Sequence, residues 1–261
     1  MVTSLDIRPA GPEVGLDLFD KLSVVETERE LDSLVSDLLD RKRAVVLSFL
    51  NQHAFNLAMR DAPFRRALLE SDILLRDGVG IEVALKLLGR PAGLNSNGTD
   101  LIPLILEKAR GRRVAIFGTR EPWLGAAADR IGRLGAEIVS CRDGFQPEAS
   151  YLDQVRATRP SIVLLAMGMP RQESLAALIR SEAEEPCLII NGGAILDFMA
   201  NRFRRAPTWM QAARIEWIFR MAQEPERLMR RYLSGGPPFA MKVLRLAWHQ
   251  RARRALASGD P

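Results

Sequence analysis

Short apolar runs that each stop at a glycine and hand over to a helical pattern constrain this chain more than anything else in it. Runs at 73–75, 114–117, 137–140, 161–167 and 187–190 are halted at Gly78, Gly118, Gly144, Gly168 and Gly192. An earlier run at 44–49 leads into Asn51 and a helical stretch. Runs this short, rich in Val, Ile and Leu and bounded by glycine, read as strands buried on both faces. Alternating strands and helices predict a Rossmann-like α/β fold, a parallel sheet flanked by helices. Open sheets of this kind bind ligands at the carboxyl ends of their strands.

The strand grammar ends at Pro207. Residues 208–223 read as one helix. Pro225 suits the first turn of another, and Pro237-Pro238 predicts a break before a last helix over 239–255. The chain is therefore divided into an irregular lead-in (1–25), an α/β catalytic domain (26–206) and a C-terminal helical appendage (207–261). The lead-in, read as irregular through residue 22, contains acidic residues and no apolar stretch of the secretory kind. Thr27-Glu-Arg-Glu30 predicts a capped helix start.

Charge follows the same division. Residues 201–261 carry 13 Lys and Arg against 4 Asp and Glu, while the first 200 residues are net acidic. A basic tail on a nearly neutral body calls for an anionic partner: lipid headgroups, ligand phosphates or nucleic acid. On the last helix Phe239, Val243, Leu246 and Ala247 share a face, among Lys242, Arg245, Arg251, Arg253 and Arg254. An apolar stripe that includes Trp248 can lie on an anionic membrane, or the helix can dock on the body with its basic face in water. No apolar run reaches the ~18 residues of a membrane span. Cys141 and Cys187 sit in apolar runs and read as buried free thiols, which fits a reducing compartment.

Several classes of chemistry lack material. There is no Walker A loop, no Gly-x-Ser-x-Gly elbow and no zinc-ligand spacing, and His53 and His249 are the only histidines. Gly78-x-Gly80 is not a dinucleotide fingerprint, because Val83 occupies the third glycine position. No Asp-x-Asp pair is present to hold a cation on a diphosphate, so the arginines Arg205, Arg220, Arg227, Arg230 and Arg231 are the available countercharge. Asp77 ends a strand, where a carboxylate can serve as general base or merely cap the next helix. Asn97-Gly98-Thr99-Asp100 opens a helix, where a phosphate can bind or Asn97 or Thr99 can simply cap. Gly118 and the Gly192-Gly193 pair make turns that let a ligand approach the backbone.

Taken in order, these segments carry a resemblance. Asn51, Asp77-Gly-Val-Gly80, Gly98-Thr-Asp100, Phe117-Gly118, Asp143-Gly-Phe145, Gly168-Met-Pro-Arg-Gln-Glu173, Asn191-Gly-Gly193, Arg205-Ala-Pro207, Glu216-Trp-Ile-Phe-Arg220 and Glu224-Pro-Glu-Arg227 to Arg231-Tyr232 are collinear with the WecG/TagA/CpsF glycosyltransferases. The chain resembles this family of bacterial surface-polysaccharide assembly. The resemblance implies transfer of a sugar from a nucleotide diphosphate donor, usually a UDP-sugar, to a polyprenyl-diphosphate-linked saccharide. It implies inversion, and no metal or other cofactor.

It assigns the base to Asp77 and a characteristic Gln to Gln172, and it brings Arg220, Arg227 and Arg230 or Arg231 to the leaving diphosphate. Asn51, Gly98, Thr99, Asp100, Gly118, Gly144, Gly168, Pro170, Arg171, Gly192, Gly193 and Arg205 fall among the expected substrate contacts. The appendage would touch the anionic inner face of the cytoplasmic membrane, making the protein cytoplasmic and peripheral. Two positions depart from the family pattern. Phe49-Leu50-Asn51 stands where Thr-x-Asn is usual, and Asn95 stands where an Arg is usual. Homo-oligomerisation stays open, since no coiled-coil heptads occur. The rival reading is a non-catalytic anion or nucleic-acid binder using the tail. The sparse aromatics and acidic body argue against nucleic acid.

Overall fold

The computed structural model describes residues 14–258. Six strands, β1 (Val45–Leu50), β2 (Ile73–Arg76), β3 (Arg113–Gly118), β4 (Glu137–Arg142), β5 (Ile162–Ala166) and β6 (Leu188–Asn191), form one sheet. Every pairing is parallel, in the order β2-β1-β6-β5-β3-β4. The expected Rossmann-like α/β architecture is the one observed. All residues of β1, β2, β5 and β6 are buried, which is why these strands read as continuous apolar runs rather than alternating ones.

Helices cover both faces. One core joins Val45, Leu47, Ile116, Leu164 and Ile190 to α2 (Glu28–Leu39), α6 (Gly98–Lys108), α7 (Trp123–Arg133) and α10 (Ile195–Met199). On the other face lie α3 (Gln52–Ala58), α4 (Ala62–Glu70), α5 (Val79–Leu87), α8 (Glu148–Thr158) and α9 (Arg171–Glu182). Neighbouring strands β1 and β6 send the helices that follow them, α3 and α10, to opposite faces. That divergence opens a crevice at their carboxyl ends, the place where ligands enter such sheets.

Four local expectations are revised. The lead-in is not irregular throughout: α1 (Leu16–Lys21) buries Leu18 and Phe19, with Phe19 5.2 Å from the Phe55 ring. The Thr27 cap forms as predicted, its Oγ1 accepting from Glu30 N, but Glu30 reaches back to Glu26 N rather than Thr27 N. The stretch 208–223 splits into α11 (Thr208–Ala212) and α12 (Glu216–Gln223), because Arg214 takes a left-handed conformation with φ of 61°. Finally, Pro237-Pro238 breaks nothing, for α13 runs from Pro225 to Ser258. Gly235 and Gly236 precede the prolines and bring this helix close to α3, where Asn56 Nδ2 donates to the Gly235 carbonyl at 2.7 Å. Tertiary packing and that side-chain donor outweigh the missing amide protons.

The stripe Phe239, Val243, Leu246 and Ala247 is buried with Leu18, Phe55 and Ile81, so it docks on the body. Trp248 is not part of it and stands 67 % exposed. Both cysteines are free. Cys187 is buried, its thiol pushed up to about 12 by burial, whereas Cys141 is only half-buried. Residues 1–13 and 259–261, and the side chains of Arg227 and Arg254, lie outside the described residues, and with them the expectations of an irregular start to the lead-in, of Arg227 at the leaving diphosphate and of Arg254 on the basic face.

Candidate active site

The crevice is built from strand ends. Asp77 follows β2, its amide bonded to the Leu50 carbonyl at 2.9 Å. Asn51 follows β1 and caps α3: its Oδ1 accepts from Ala54 N at 3.0 Å, and its Nδ2 donates to Asp77 Oδ2 at 3.1 Å. Arg231, from α13, donates Nη2 to the same Asn51 Oδ1 at 3.2 Å. A half-buried carboxylate, an amide that orients it and a guanidinium from the appendage thus meet at one point. Such a carboxylate can take a proton from a hydroxyl placed against it.

Next to it, Asn97 is the cap of α6 that the sequence left open between Asn97 and Thr99, its Oδ1 accepting from Asp100 N at 3.1 Å. Gly98 packs closely on the Phe49 ring, which would lie 3.3 Å from an added Cβ. Phe49 is therefore an apolar wall beside the α6 N-terminus. Asn95 Oδ1 accepts from Gly78 N at 2.9 Å and fixes the turn after Asp77.

Across the sheet, Gly118 and Gly144 meet backbone to backbone. A Cβ on Gly118 would stand 2.2 Å from the Ala166 carbonyl, and one on Gly144 would stand 3.2 Å from Gly118 Cα. Thr119 Oγ1 donates to Asp197 Oδ1 at 2.7 Å. Gly168 has φ of 81° with open space at its Cβ position, and Pro170 caps α9. Arg171 braces the 143–146 turn, donating to the Gly144 carbonyl at 2.5 Å and to that of Gln146. Gln172 is 0 % exposed and bonds Gly193 N, so it shapes the Gly192-Gly193 turn from below. Phe145 is 71 % exposed beside Gly144 and offers a ring face at the rim.

The appendage is tied over the crevice by charge. Arg205 Nη2 reaches Asp100 at 2.7 Å, and its Nε lies 3.1 Å from Glu216 Oε1. Arg214 pairs with Glu82 of α5, which also meets Lys86 at 2.7 Å and Arg76 at 3.4 Å. Burial alone would raise the Glu82 carboxyl, but Lys86, Arg214 and Arg76 together hold it below its ordinary range. Arg220 stacks over Phe198, 4.8 Å from the ring centroid. Arg230 lies on the exposed face of α13 instead.

Two residues that sequence reasoning missed join the cluster. Burial raises the Glu216 carboxyl, with Asp100 and Asp77 adding to the shift and Arg205 and Arg220 opposing it. Burial likewise raises the Tyr232 phenol, with Asp77 and Glu216 adding and Arg231 and Arg220 opposing. Both therefore feel the Asp77 charge. The Glu216-Trp-Ile-Phe-Arg220 and Arg231-Tyr232 segments were the available signal, although neither Glu nor Tyr stands out by spacing.

A parallel α/β sheet with this crevice, roofed by an arginine-bearing helical appendage, brings a carboxylate and a set of arginines to one place, and comparison with known proteins identifies the molecule as a glycosyltransferase. The model of the glycosyl transferase WecG/TagA/CpsF family matches residues 15–253, and the chain belongs to that family. It is 29 % identical over 234 residues to an N-acetylglucosaminyldiphosphoundecaprenol N-acetyl-beta-D-mannosaminyltransferase of Bacillus spizizenii, covering 86 % of this chain and 89 % of that one. A protein of the same name from Bacillus subtilis is 26 % identical over 220 residues, covering 82 % and 85 %.

Proposed function

We propose that this glycosyltransferase moves a sugar from a nucleotide diphosphate donor, a UDP-sugar, to a saccharide carried on a polyprenyl diphosphate, with inversion and without a metal ion. The observation that carries the reading is the convergence of Asp77, Asn51 and Arg231 at the carboxyl ends of β1 and β2. The names of the two relatives supply the substrate class: N-acetylmannosamine transferred to an N-acetylglucosaminyl diphosphoundecaprenol.

In this reading the acceptor hydroxyl gives its proton to Asp77 as its oxygen attacks the anomeric carbon. The bond from that carbon to the diphosphate breaks, and the nucleoside diphosphate leaves with the electron pair. A single displacement inverts the centre. Negative charge grows on the leaving oxygens, and arginines of the appendage, Arg220, Arg227 and Arg231, supply the countercharge. The turns at Gly118, Gly144, Gly168 and Gly192-Gly193 leave room for the donor backbone, and Phe145 offers a stacking face for its base. Asn51 and Gln172 act as positioning groups. Phe49, buried under the α6 cap, backs the sugar site with an apolar ring in place of a hydroxyl.

With the stripe Phe239, Val243, Leu246 and Ala247 docked, the membrane role falls to the outer face of α13, which keeps Trp248. Met229, Leu233, Met241, Leu244 and Trp248 are exposed and recur at helical spacing, with Arg230, Arg245 and Arg251 nearby. Such a face suits peripheral attachment beside a lipid-linked acceptor. Among the described residues no helix is long and apolar enough to cross a membrane.

The test is to incubate the protein with UDP-N-acetylmannosamine, lipid-linked N-acetylglucosamine and EDTA, and to assign the product anomer by NMR. An inverted product formed in EDTA supports the reading. A retained anomer, or transfer that EDTA abolishes, overturns the corresponding part of it.

A further inference from the structure

Gln172 and Glu173 share the first turn of α9 and are enclosed, at 0 % and 2 % exposure. The Gln172 amide is committed at both ends. Its Nε2 donates to Glu173 Oε1 at 2.9 Å, and its Oε1 accepts from the Gly193 amide at 3.1 Å. Gly193 has φ of 61°, and the side where a Cβ would stand is open. Its backbone is thus reachable from the crevice and held from beneath by a chain that ends on a carboxyl group.

That carboxyl group is poorly provided for as an anion. Its second oxygen, Oε2, is buried without a hydrogen-bond partner, as is the Oδ1 of Asn191 one residue before the Gly192-Gly193 turn. The polar groups at the end of β6 are neutral: Asn191 donates to Ser48 Oγ at 2.9 Å, and Ser48 bonds Ser71 at 2.7 Å. Cations on or near α9 are engaged elsewhere. Arg171 braces the carbonyls of Gly144 and Gln146, Arg180 bonds the Glu70 carbonyl of α4 and lies 3.6 Å from Asp72, and Arg156 of α8 pairs with Glu182. A buried carboxylate with a bare oxygen and no cation is costly, whereas the acid form is not charged and carries a donor.

We propose that Glu173 is a positioning residue that works as the neutral acid, holding Gln172 and through it the Gly193 turn, and that its ionisation weakens the grip of that turn on an anionic donor. This rests on the reading of the glycine turns as the diphosphate site. Burial, opposed by the Gln172 hydrogen bond, sets the Glu173 carboxyl at about 7, so the switch falls in the neutral range. Once ionised, Glu173 places an uncompensated negative charge two hydrogen bonds from the Gly193 amide. In a low-dielectric setting, repulsion at ~10 Å is enough to lower affinity for a second anion about tenfold.

The experiment follows the Gly193 amide by NMR in nitrogen-labelled protein across the neutral range, then measures the Kd of UDP-N-acetylmannosamine at the acid and alkaline ends. That ligand has no phosphate proton to titrate there. The expected result is a Gly193 resonance that titrates with a midpoint near 7 in the native protein and stays flat in Glu173→Gln. The Kd should rise about tenfold toward alkaline pH in the native protein and by less than about twofold in the variant. A native Gly193 resonance that does not titrate overturns the proposal without recourse to any variant. So does an equal pH response in Glu173→Gln. A titrating Gly193 with no nucleotide-sugar binding at either pH leaves the Gln172 link standing and refutes its coupling to a donor, along with the donor reading itself.

Discussion

Asn51 stands between the carboxylate of one strand end and the guanidinium of the appendage, its Nδ2 3.1 Å from Asp77 Oδ2 and its Oδ1 3.2 Å from Arg231 Nη2. The same Oδ1 caps α3 through Ala54 N at 3.0 Å. One amide therefore fixes the direction of Asp77, the start of a helix and the seat of α13. An amide whose two ends are both engaged cannot flip without losing all three contacts.

Asn51→Ala should lose about 1 kcal/mol of stability as a missing cap. It should also lose transfer activity far beyond what that instability explains. Arg231→Ala should lower kcat as well, and the double variant should be less impaired than the sum, with a coupling of ~0.5–3 kcal/mol expected for residues in one network. Initial-rate kinetics on the four proteins measure this. Strict additivity would show that Arg231 does not act through Asn51.

Arg205 links the body to the appendage through Asp100 and Glu216, at 2.7 and 3.1 Å. Replacing it with Ala removes the countercharge that opposes the raised Glu216 carboxyl. The α11–α12 segment should then open more often, and limited proteolysis between residues 206 and 224 should accelerate while the sheet stays folded. Unchanged cleavage would mean that Arg214 and Arg231 suffice to hold the appendage.

Stability should depend on pH through Glu173, whose carboxyl is raised by burial from 4.5 to about 7. The folded state then binds a proton that the unfolded state has released, so this contribution is intact below 4.5 and is lost as pH rises through about 7. The loss is on the order of 3 kcal/mol at most. Denaturant melts of native protein and Glu173→Gln should diverge across that window, with the variant flatter. Parallel curves would place the ionisation elsewhere.

Membrane attachment should depend on the outer face of α13 and not on the docked one. Leu244→Asp with Trp248→Asp should abolish flotation with anionic vesicles and leave the melting temperature within a few degrees, because both side chains are exposed. Val243→Asp should instead destabilise the fold, since Val243 is buried among Leu18, Phe55 and Ile81. Retained flotation of the first variant would exclude this face.

The sheet was legible because a parallel strand buried on both faces must be an apolar run, and the glycines at 118 and 144 follow strands where backbones meet, while the one at 192 follows a strand where core side chains crowd in. The same logic located Asp77 and Asn51 at strand ends. It failed at Pro237-Pro238, where local propensity opposed a helix that packing against Asn56 and the body sustains. It left the stripe of α13 open between docking and membrane and wrongly counted Trp248 in it, because two apolar faces share that helix and only the fold decides which is covered. Arg171, expected among the substrate contacts, also braces carbonyls of a turn some 25 residues earlier in the chain, a contact that no local pattern announces. Glu173, Glu216 and Tyr232 carry no sequence signature, because their shifted acidities arise from enclosure by distant segments.

The central claim is that Asp77 removes the acceptor proton, and the most direct measurement compares acceptor-dependent nucleoside diphosphate release by the native protein and Asp77→Asn. The amide keeps the shape and can still hydrogen-bond Asn51, but it cannot accept a proton. The account predicts a loss of ~10²–10⁴-fold in kcat with donor affinity little changed. Release by Asp77→Asn at the native rate would contradict it and place the base elsewhere in the crevice.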